Sequence, residues 1–395
     1  MSDMSWYLSV GLVLAILAAA NSEFVDLPEL VTKRGPIIGL RVDPNPATNV
    51  SYDAYIGIPF GQKPVRFQVA VPRSPWTKPI YTQKDGPACP QSVLAYDEDC
   101  LYLNVFTPKN ASATPGILPV MVFIHGSGFL TMSSSSHWIG PDFLIPEDVI
   151  LVAMNYRLGA PGFLTLGSKI APGNLGLHDT KLALEWVRDE ISVFGGDPTQ
   201  VTLFGQSAGS AMTQFHYISS LSSDLFKRAI AHSGSALAGW SSYSLTEGVR
   251  RARLLAQSLK CDMTQNDTML LDCMQKADIK DVIANQFVQL SNDDYTVGSN
   301  FPFLPVLDTF ESSDTPFFND TSIDNMMQQA LLRAKPFITG FTTDEGILEF
   351  YDKGWQMAEG NLGAFIPPKV RDSISEAERE SLAETIKNRY YPDSV

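Results

Sequence analysis

One segment constrains the fold of this chain more than any other: residues 194–210, with the sequence FGGDPTQVTLFGQSAGS. The pattern predicts a turn in GGDPTQ, a short apolar strand over residues 201–204, a sharp glycine-flanked elbow and then a helix. Ser207 lies at the apex of the elbow, between Gly205 and Gly209, and glycine allows the backbone to bend and to pack closely there. Such an elbow lifts a serine hydroxyl clear of the sheet and points the next backbone N–H groups at the same position. The segment therefore indicates acyl transfer through a serine ester.

The composition indicates a large globular protein. The chain has 395 residues, of which 44% are apolar, so it can bury a sizeable core. It contains no internal repeat, low-complexity tract or Pro/Ser-rich linker, and we expect one domain. The formal net charge of −14 argues against nucleic-acid binding, which needs a basic surface. Solubility is the preferred explanation of the acidity, and attraction of cationic substrates is the alternative.

The N-terminus has the pattern of a secretory signal. Residues 7–20 form an apolar run, and Ala20 and Ser22 supply small side chains at a cleavage site before Glu23. No Lys or Arg precedes the run; the alternative is an uncleaved anchor, but the run is short for a bilayer. We expect a signal peptide over residues 1–22, a mature domain over residues 23–395, secretion, and no stable membrane insertion.

Cysteine usage and glycosylation motifs agree with an oxidising compartment. Four cysteines fall into two close pairs, and local pairing is the simplest of three arrangements. A metal site is disfavoured because no histidine or C-x-x-C motif at ligand spacing accompanies them, and nothing in the sequence indicates a cofactor. The cysteines are Cys89, Cys100, Cys261 and Cys273. Four N-glycosylation motifs suit a secreted surface; they lie at Asn49, Asn110, Asn266 and Asn319.

Strand and helix patterns alternate along the rest of the chain. Apolar strands are predicted over residues 117–124, 149–154, 201–204, 228–231 and 337–341. Helices are predicted over residues 177–193 and 375–390, the second with a capping box between Ser375 and Glu378. This order implies an α/β fold with a mostly parallel sheet and helices on both faces. Ligands of such sheets bind beyond the carboxyl ends of the strands. The elbow, the HGSGF segment after the first strand and the segment after the last strand lie at such ends, so we expect one shared site.

At this point the sequence resembles a known family. The elbow segment is similar to the serine signature of the type-B carboxylesterases, which include the cholinesterases. Further similar segments are EDCLYLNVFTP at 98–108, NYRLGAPGFL at 155–164 and GNLGLHDTKLALEWVRDEI at 173–191. The resemblance covers roughly residues 27–350 and implies an α/β-hydrolase fold, with the first cysteine pair as a disulfide.

The resemblance also implies the site residues. Ser207 would be the nucleophile, and the backbone N–H groups of Ser127, Gly128 and Ala208 would form the oxyanion hole. Glu345, in the segment TDEG, would be the acid that orients the catalytic imidazole. The family commonly has glycine where Ser127 stands. Serine can serve there if its backbone angles are tolerated, at a strain of about 1–2 kcal/mol when φ is positive.

No histidine matches the family position, which follows the acid in a histidine-glycine turn. The five histidines all precede Glu345, and they are His125, His137, His178, His216 and His232. We interpret them as structural apart from the one in a Ser-rich loop, and expect none to serve as the base. Losing a triad histidine lowers the rate by about 10⁶, so the chain as written should be a very slow esterase. We expect the sequence to be C-terminally incomplete; a natural product that lost activity is the alternative.

The expected substrate is a neutral, apolar carboxylic ester. Gln206 stands where cholinesterases carry glutamate, and the loop between Cys89 and Cys100 contains no tryptophan for a quaternary ammonium group. Trp240 resembles an acyl-pocket aromatic, although plain core packing explains it equally well. Juvenile hormone-like, xenobiotic and dietary esters are not separated, and the oligomeric state is not indicated. The alternative function is a non-catalytic, neuroligin-like binding or adhesion module; the missing histidine favours it, and the retained Ser207 argues against it.

Overall fold

The computed structural model describes residues 27–390, except 45–47, 114–115, 288–300, 309–312, 314, 319, 321, 334, 344, 346–365, 367–369 and 371–372. The predicted signal peptide and Asn319 therefore lie outside the described residues. The structure confirms the two local cysteine pairs, because disulfides join Cys89 to Cys100 and Cys261 to Cys273.

A mixed eight-stranded sheet forms the centre of the fold. Its strands are β3 Leu40–Val42, β4 Tyr52–Pro59, β6 Tyr102–Pro108, β7 Leu118–Ile124, β8 Ile150–Met154, β9 Gly196–Gln206, β10 Arg228–His232 and β11 Phe337–Gly340. They lie side by side in the order β11-β10-β9-β7-β8-β6-β4-β3. The strands from β8 through β7, β9 and β10 to β11 are parallel, and β6, β4 and β3 join antiparallel at the other edge. A small second sheet joins β1 Glu29–Val31, β2 Pro36–Ile38 and β5 Ile80–Tyr81.

The described α-helices include the helix after the elbow and the two predicted over residues 177–193 and 375–390; the other helices were not predicted. The described α-helices are α1 Gly159–Phe163, α2 Leu175–Glu190, α3 Ala208–Ile218, α4 Leu245–Ser258, α5 Asp267–Lys276, α6 Ile279–Asn285, α7 Ile323–Leu331 and α8 Glu376–Tyr390. Helix α2 ends earlier than predicted, because the chain continues as a 3₁₀ turn over Ile191–Phe194 that stops at Gly195 in the left-handed region. The capping box of α8 is present: the Ser375 N–H donates to the Glu378 carboxylate, and the Glu378 N–H donates to the Ser375 hydroxyl.

Side chains of the central strands alternate between two apolar clusters, one on each face of the sheet. Ile150 and Val152 of β8 belong to the larger cluster, and Leu151 between them belongs to the smaller one. All of α1 to α7 contribute to the larger cluster. The smaller cluster includes Ile145, from a short 3₁₀ helix over Ile145–Glu147.

The register of the parallel strands brings the predicted functional segments to one edge. In β9 and its neighbours, Gly205 pairs with Ile124, and Gln206 pairs with His232, which pairs with Gly340. The strands β7, β9, β10 and β11 therefore end side by side. The segments that follow them meet at this edge, as the sequence predicted.

A buried ion pair ties the end of β8 to α2. The Arg157 guanidinium donates through Nε and Nη2 to the Asp179 carboxylate, both at 2.7 Å, and the Arg157 N–H donates at 3.1 Å. The two side chains are 3% and 0% exposed. Burying two charges stabilises a fold only when each stays paired, so removing one partner leaves an uncompensated charge.

We predict that Asp179→Ala lowers the free energy of unfolding by about 3–5 kcal/mol, because it strands the buried Arg157 charge. Urea unfolding of purified protein measures this change. Asp189→Ala is the matched control, since it removes the carboxylate of the exposed Arg188–Asp189 pair, for which about 0–1 kcal/mol is expected. Equal losses in the two variants would contradict the assigned role of the buried pair.

His216 is buried on α3 with both ring nitrogens bonded to hydroxyls. Nε2 lies 2.7 Å from Thr180 Oγ1 and Nδ1 lies 2.9 Å from Ser222 Oγ. Burial, assisted by the nearby His178 and Lys181, lowers the pKa of His216 to about 3. The imidazole is therefore neutral in the folded protein at neutral pH.

We predict that the protein loses stability as the pH falls below about 6.5. The folded pKa of His216 lies below the unfolded value of about 6.5, so its contribution is present above that pH and is lost on acidification, by about 1.4 kcal/mol per pH unit. Burial also lowers the pKa of His125 and His178 to about 4, which adds to the loss. Asp308, whose pKa burial raises to about 6, acts in the opposite direction below that pH.

Urea midpoints measured between pH 4.5 and 7.5 check this prediction. His216→Gln keeps partners for the two hydroxyls but does not titrate, so its slope below pH 6 should be smaller by about 1.4 kcal/mol per pH unit. Above pH 7 the two proteins should have parallel profiles. Identical slopes at low pH would show that His216 does not control acid stability.

Candidate active site

Ser207 occupies a strained elbow between β9 and α3. Its backbone angles are φ 58° and ψ −122°, a combination that a residue with a side chain adopts at a strain of about 1–3 kcal/mol. Its N–H donates to the His232 carbonyl at 2.9 Å, and its carbonyl accepts from the Ala211 N–H at 3.1 Å. One bond to the neighbouring strand and one to the following helix therefore hold the elbow in place.

Close backbone contacts surround the elbow and explain its glycines. A Cβ at Gly209 would lie 2.0 Å from the Ile124 carbonyl oxygen, and one at Gly205 would lie 2.3 Å from the Gly209 carbonyl oxygen. On the other side, a Cβ at Gly234 would lie 2.3 Å from the Ser207 carbonyl oxygen. Side chains at these positions would force the strands apart, so the elbow geometry depends on three glycines.

The HGSGF loop lies directly against the elbow. A Cβ at Gly126 would lie 2.5 Å from the Gln206 carbonyl oxygen and 3.0 Å from Ser207 Cβ. The next two residues are left-handed, with φ 73° at Ser127 and φ 64° at Gly128. Within the described part of the chain, the N–H groups of Ser127, Gly128 and Ala208 donate to no protein acceptor. The loop and the first turn of α3 therefore leave backbone donors available next to the serine.

Ser127 has a positive φ, the unfavourable case considered above for a serine at this position. Its hydroxyl lies 2.5 Å from Thr131 Oγ1, and its carbonyl accepts from the Leu130 N–H at 3.1 Å. These two local bonds offset part of the strain of about 1–2 kcal/mol that a left-handed serine carries. Serine is accommodated at this position of the fold.

Glu345 lies beyond β11 and is bound to the strand end next to the elbow. One carboxylate oxygen accepts from the Thr342 N–H at 2.8 Å and from Thr342 Oγ1 at 3.1 Å. A hydrogen bond from Ser233, ahead of those from Thr342, holds the pKa of Glu345 below its ordinary value. Ser233 directly follows His232, whose carbonyl accepts the Ser207 N–H. The Glu345 carboxylate is therefore ionised at neutral pH. It interacts with the residue that follows His232, the hydrogen-bond acceptor of the Ser207 N–H.

The buried histidines have structural surroundings, as predicted. The ring of His125 stacks on Tyr156 at 4.5 Å, and its Nδ1 lies 3.2 Å from the Gly126 carbonyl oxygen. His178 contacts Phe317 edge to face. Together with His216, these rings lie in the core rather than beside the serine.

The two exposed histidines are His137 and His232. The ring of His137 packs against Trp138 at 5.2 Å, in the Ser-rich loop. His232 contributes its backbone carbonyl to the elbow, at the end of β10. Among the described residues, no hydrogen bond joins a histidine ring to Ser207 or Glu345.

An aromatic group borders the HGSGF loop. Trp240 lies 6.5 Å from the ring of Phe129 and 6.3 Å from that of Phe301. Phe301 lies directly on Gly128, because a Cβ there would be 2.3 Å from its Cε1 atom. Trp240 could be recognised from the sequence, whereas Phe301 and Ser233 could not, because no local pattern links either residue to the elbow.

The predictions of surface glycosylation and of no stable membrane insertion concern the outside of the protein. Three glycosylation motifs are exposed, at Asn49, Asn110 and Asn266. Across the described residues, no helix combines the length and the apolarity needed to span a bilayer.

Comparison with known proteins relates this fold and site to one family. The protein-family model described as "Carboxylesterase family" matches residues 26–394 of the sequence. Esterase B1 of Culex pipiens is 35% identical over 390 residues, covering 92% of this chain and 68% of that protein. Juvenile hormone esterase of Tribolium castaneum is 37% identical over 338 residues (81% of this chain, 55% of that protein). Acetylcholinesterase of Danio rerio is 36% identical over 342 residues (81% and 52%).

The chain spans about half to two-thirds of the length of these relatives. The family match nevertheless extends over almost all of the chain and includes both the sheet and the serine elbow. Because sequence and architecture agree over that range, the chain belongs to the carboxylesterase family and has the α/β-hydrolase fold.

Proposed function

We propose that this protein is a secreted serine esterase that hydrolyses carboxylic esters through an acyl-enzyme on Ser207. One observation carries the proposal: the strained elbow holds Ser207 at φ 58° beside backbone N–H groups that have no described protein acceptor. Attack of the serine oxygen on an ester carbonyl forms a tetrahedral oxyanion. The N–H groups of Ser127, Gly128 and Ala208 would donate to that oxyanion, and each such donor is typically worth 10²–10³ in rate.

Glu345 is the acid of the proposed triad. The hydrogen bonds from Ser233 and Thr342 favour its ionised form, which is the form that can orient and stabilise an imidazolium. We propose that none of the five histidines is the base, because no hydrogen bond among the described residues joins a histidine ring to Ser207 or Glu345. Without the base Ser207 keeps its proton, and removal of a triad histidine lowers the rate by about 10⁶. We therefore propose that Ser207 reacts only slowly when no general base is supplied.

The proposed substrate is a neutral ester with an apolar acyl group. Gln206, the exposed residue before the nucleophile, carries no charge that would attract a cationic substrate. Trp240 and Phe301 form an apolar border next to the HGSGF loop, which suits an acyl chain. The names of the relatives refer to juvenile hormone and to acetylcholine, and these different esters do not select one substrate for this chain.

Secretion is part of the proposal. The N-terminal pattern, the two disulfides and the exposed glycosylation motifs support a mature domain over residues 23–395 in an oxidising compartment. The glycosylation sites are proposed at Asn49, Asn110, Asn266 and Asn319. The relatives reported above are named esterases, which favours an enzyme over a neuroligin-like binding module.

We predict that a fluorophosphonate probe labels Ser207 slowly in the 395-residue protein. Added imidazole should accelerate the labelling at least tenfold, because a general base contributes about 10²–10⁴ when it is positioned. Tryptic mapping by mass spectrometry locates the label, and the time course gives the rate.

Two variants serve as controls for the labelling. Ser207→Ala should remove the label, and Glu345→Gln should reduce the acceleration by imidazole while leaving slow labelling in place. A folded protein whose Ser207 stays unlabelled even with imidazole would refute the esterase proposal.

A further inference from the structure

The ring of Phe301 restricts Gly128, one of the proposed oxyanion donors. Gly128 has φ 64°, and a Cβ on it would approach three atoms of the Phe301 ring, at 2.3, 2.9 and 2.9 Å. The ring therefore lies against the Cα of this glycine. Gly128 could otherwise adopt a wide range of backbone angles, so a ring fixed in this position limits the direction of its N–H group.

Two side chains hold the backbone of Phe301. The Tyr243 hydroxyl donates to the Phe301 carbonyl at 2.6 Å, and Nη1 of Arg251 donates to the same oxygen at 3.2 Å. Nη1 also lies 3.4 Å from the Pro302 carbonyl oxygen. The Tyr243 N–H donates to the Pro305 carbonyl at 2.9 Å. The segment that carries the ring is thus attached to Tyr243 at both of its ends.

The two donors also fix each other. The Arg251 guanidinium carbon lies 4.3 Å from the centre of the Tyr243 ring, a cation–π distance. Arg251 Nε donates to the Glu247 carboxylate at 2.7 Å, along the same helix α4. Arg251 is 3% exposed. A buried guanidinium must keep its hydrogen-bond acceptors. The bond from Arg251 therefore restricts movement of the Phe301 carbonyl.

We propose that Tyr243 and Arg251 are positioning residues for the HGSGF loop, which carries two of the proposed oxyanion donors. They touch no reacting atom. They hold Phe301 so that its ring keeps Gly128 in one conformation, with its N–H group directed at the site. The catalytic consequence rests on the proposed function, whereas the mechanical consequence, a stiffer loop over residues 126–130, does not depend on it.

The test compares Tyr243→Phe with Tyr217→Phe by amide hydrogen exchange. Tyr243→Phe removes the hydroxyl and keeps the ring under Arg251. Tyr217→Phe is the matched control, because its hydroxyl also donates to a backbone carbonyl, that of Lys335, at 3.0 Å. The readout is the Leu130 amide, whose bond to the Ser127 carbonyl breaks when the loop opens. Exchange at Leu130 should become about fivefold faster in Tyr243→Phe, the factor expected from one lost neutral hydrogen bond, and should not change in the control.

A second variant and a second readout complete the experiment. Arg251→Lys keeps a charge for Glu247 but loses the planar fork, so it should also speed exchange at Leu130, and it decides the matter if Tyr243→Phe does not fold. The rate of fluorophosphonate labelling of Ser207 in the presence of imidazole should fall about fivefold in either variant. A purely structural role would lower the melting temperature without changing exchange at Leu130 or the labelling rate of folded protein.

The outcomes separate this proposal from the proposed function. If the wild-type protein is never labelled, the esterase proposal fails. The exchange experiment still tests whether Tyr243 and Arg251 stiffen the loop over residues 126–130. Exchange at Leu130 that is unchanged in the folded variants, or that rises equally in the Tyr217→Phe control, would overturn the positioning role.

Discussion

The close approach of backbones around Ser207 is the constraint on which the site depends. Gly205 and Gly209 allow the elbow to press against the end of β7, and Gly234 lets the segment after β10 approach from the other side. This packing, with the hydrogen bond from the Ser207 N–H to the His232 carbonyl, holds a residue with a side chain in a region of φ and ψ that is otherwise unfavourable. The strain is local, and the well-packed sheet beneath it offsets the strain.

The polar groups at this edge are arranged around the position where negative charge would develop. Backbone N–H groups of the HGSGF loop and the first turn of α3 lie beside the serine, and Ser233, at the adjacent strand end, lowers the pKa of the Glu345 carboxylate. The buried imidazoles of His125 and His216 are neutral because burial lowers their pKa. They therefore add no positive charge to the core. Preorganised donors of this kind usually supply the largest part of catalysis in acyl transfer.

Local signals in the sequence were enough to predict the elbow, the parallel strands, the capping box of α8 and the two disulfides. Glycine spacing around Ser207 and the apolar runs before it act over a few residues, and the fold retains them. The predicted start of β9 was wrong. GGDPTQ was predicted to form a turn, but the strand begins at Gly196, which pairs with Leu118. Tertiary pairing overrode the local turn preference there.

Contacts between distant segments could not be predicted. Phe301 lies on Gly128, and Ser233 lowers the pKa of Glu345, although nothing in either local sequence points to its partner. The positive φ of Ser127 was raised only as a condition, because a single sequence does not report backbone angles. The fold class and the nucleophile position are thus local properties, whereas the aromatic border and the support of the acid arise from the topology.

Trapping of the acyl-enzyme shows whether Ser207 accepts an acyl group from an ester. The protein is incubated with p-nitrophenyl acetate and imidazole, quenched in acid and mapped by peptide mass spectrometry. We expect one acetyl group on Ser207 and none on the neighbouring hydroxyls of Ser210 and Ser233. Acetylation spread over exposed nucleophiles at the same level in wild type and Ser207→Ala, with Ser207 itself unmodified, would contradict this expectation.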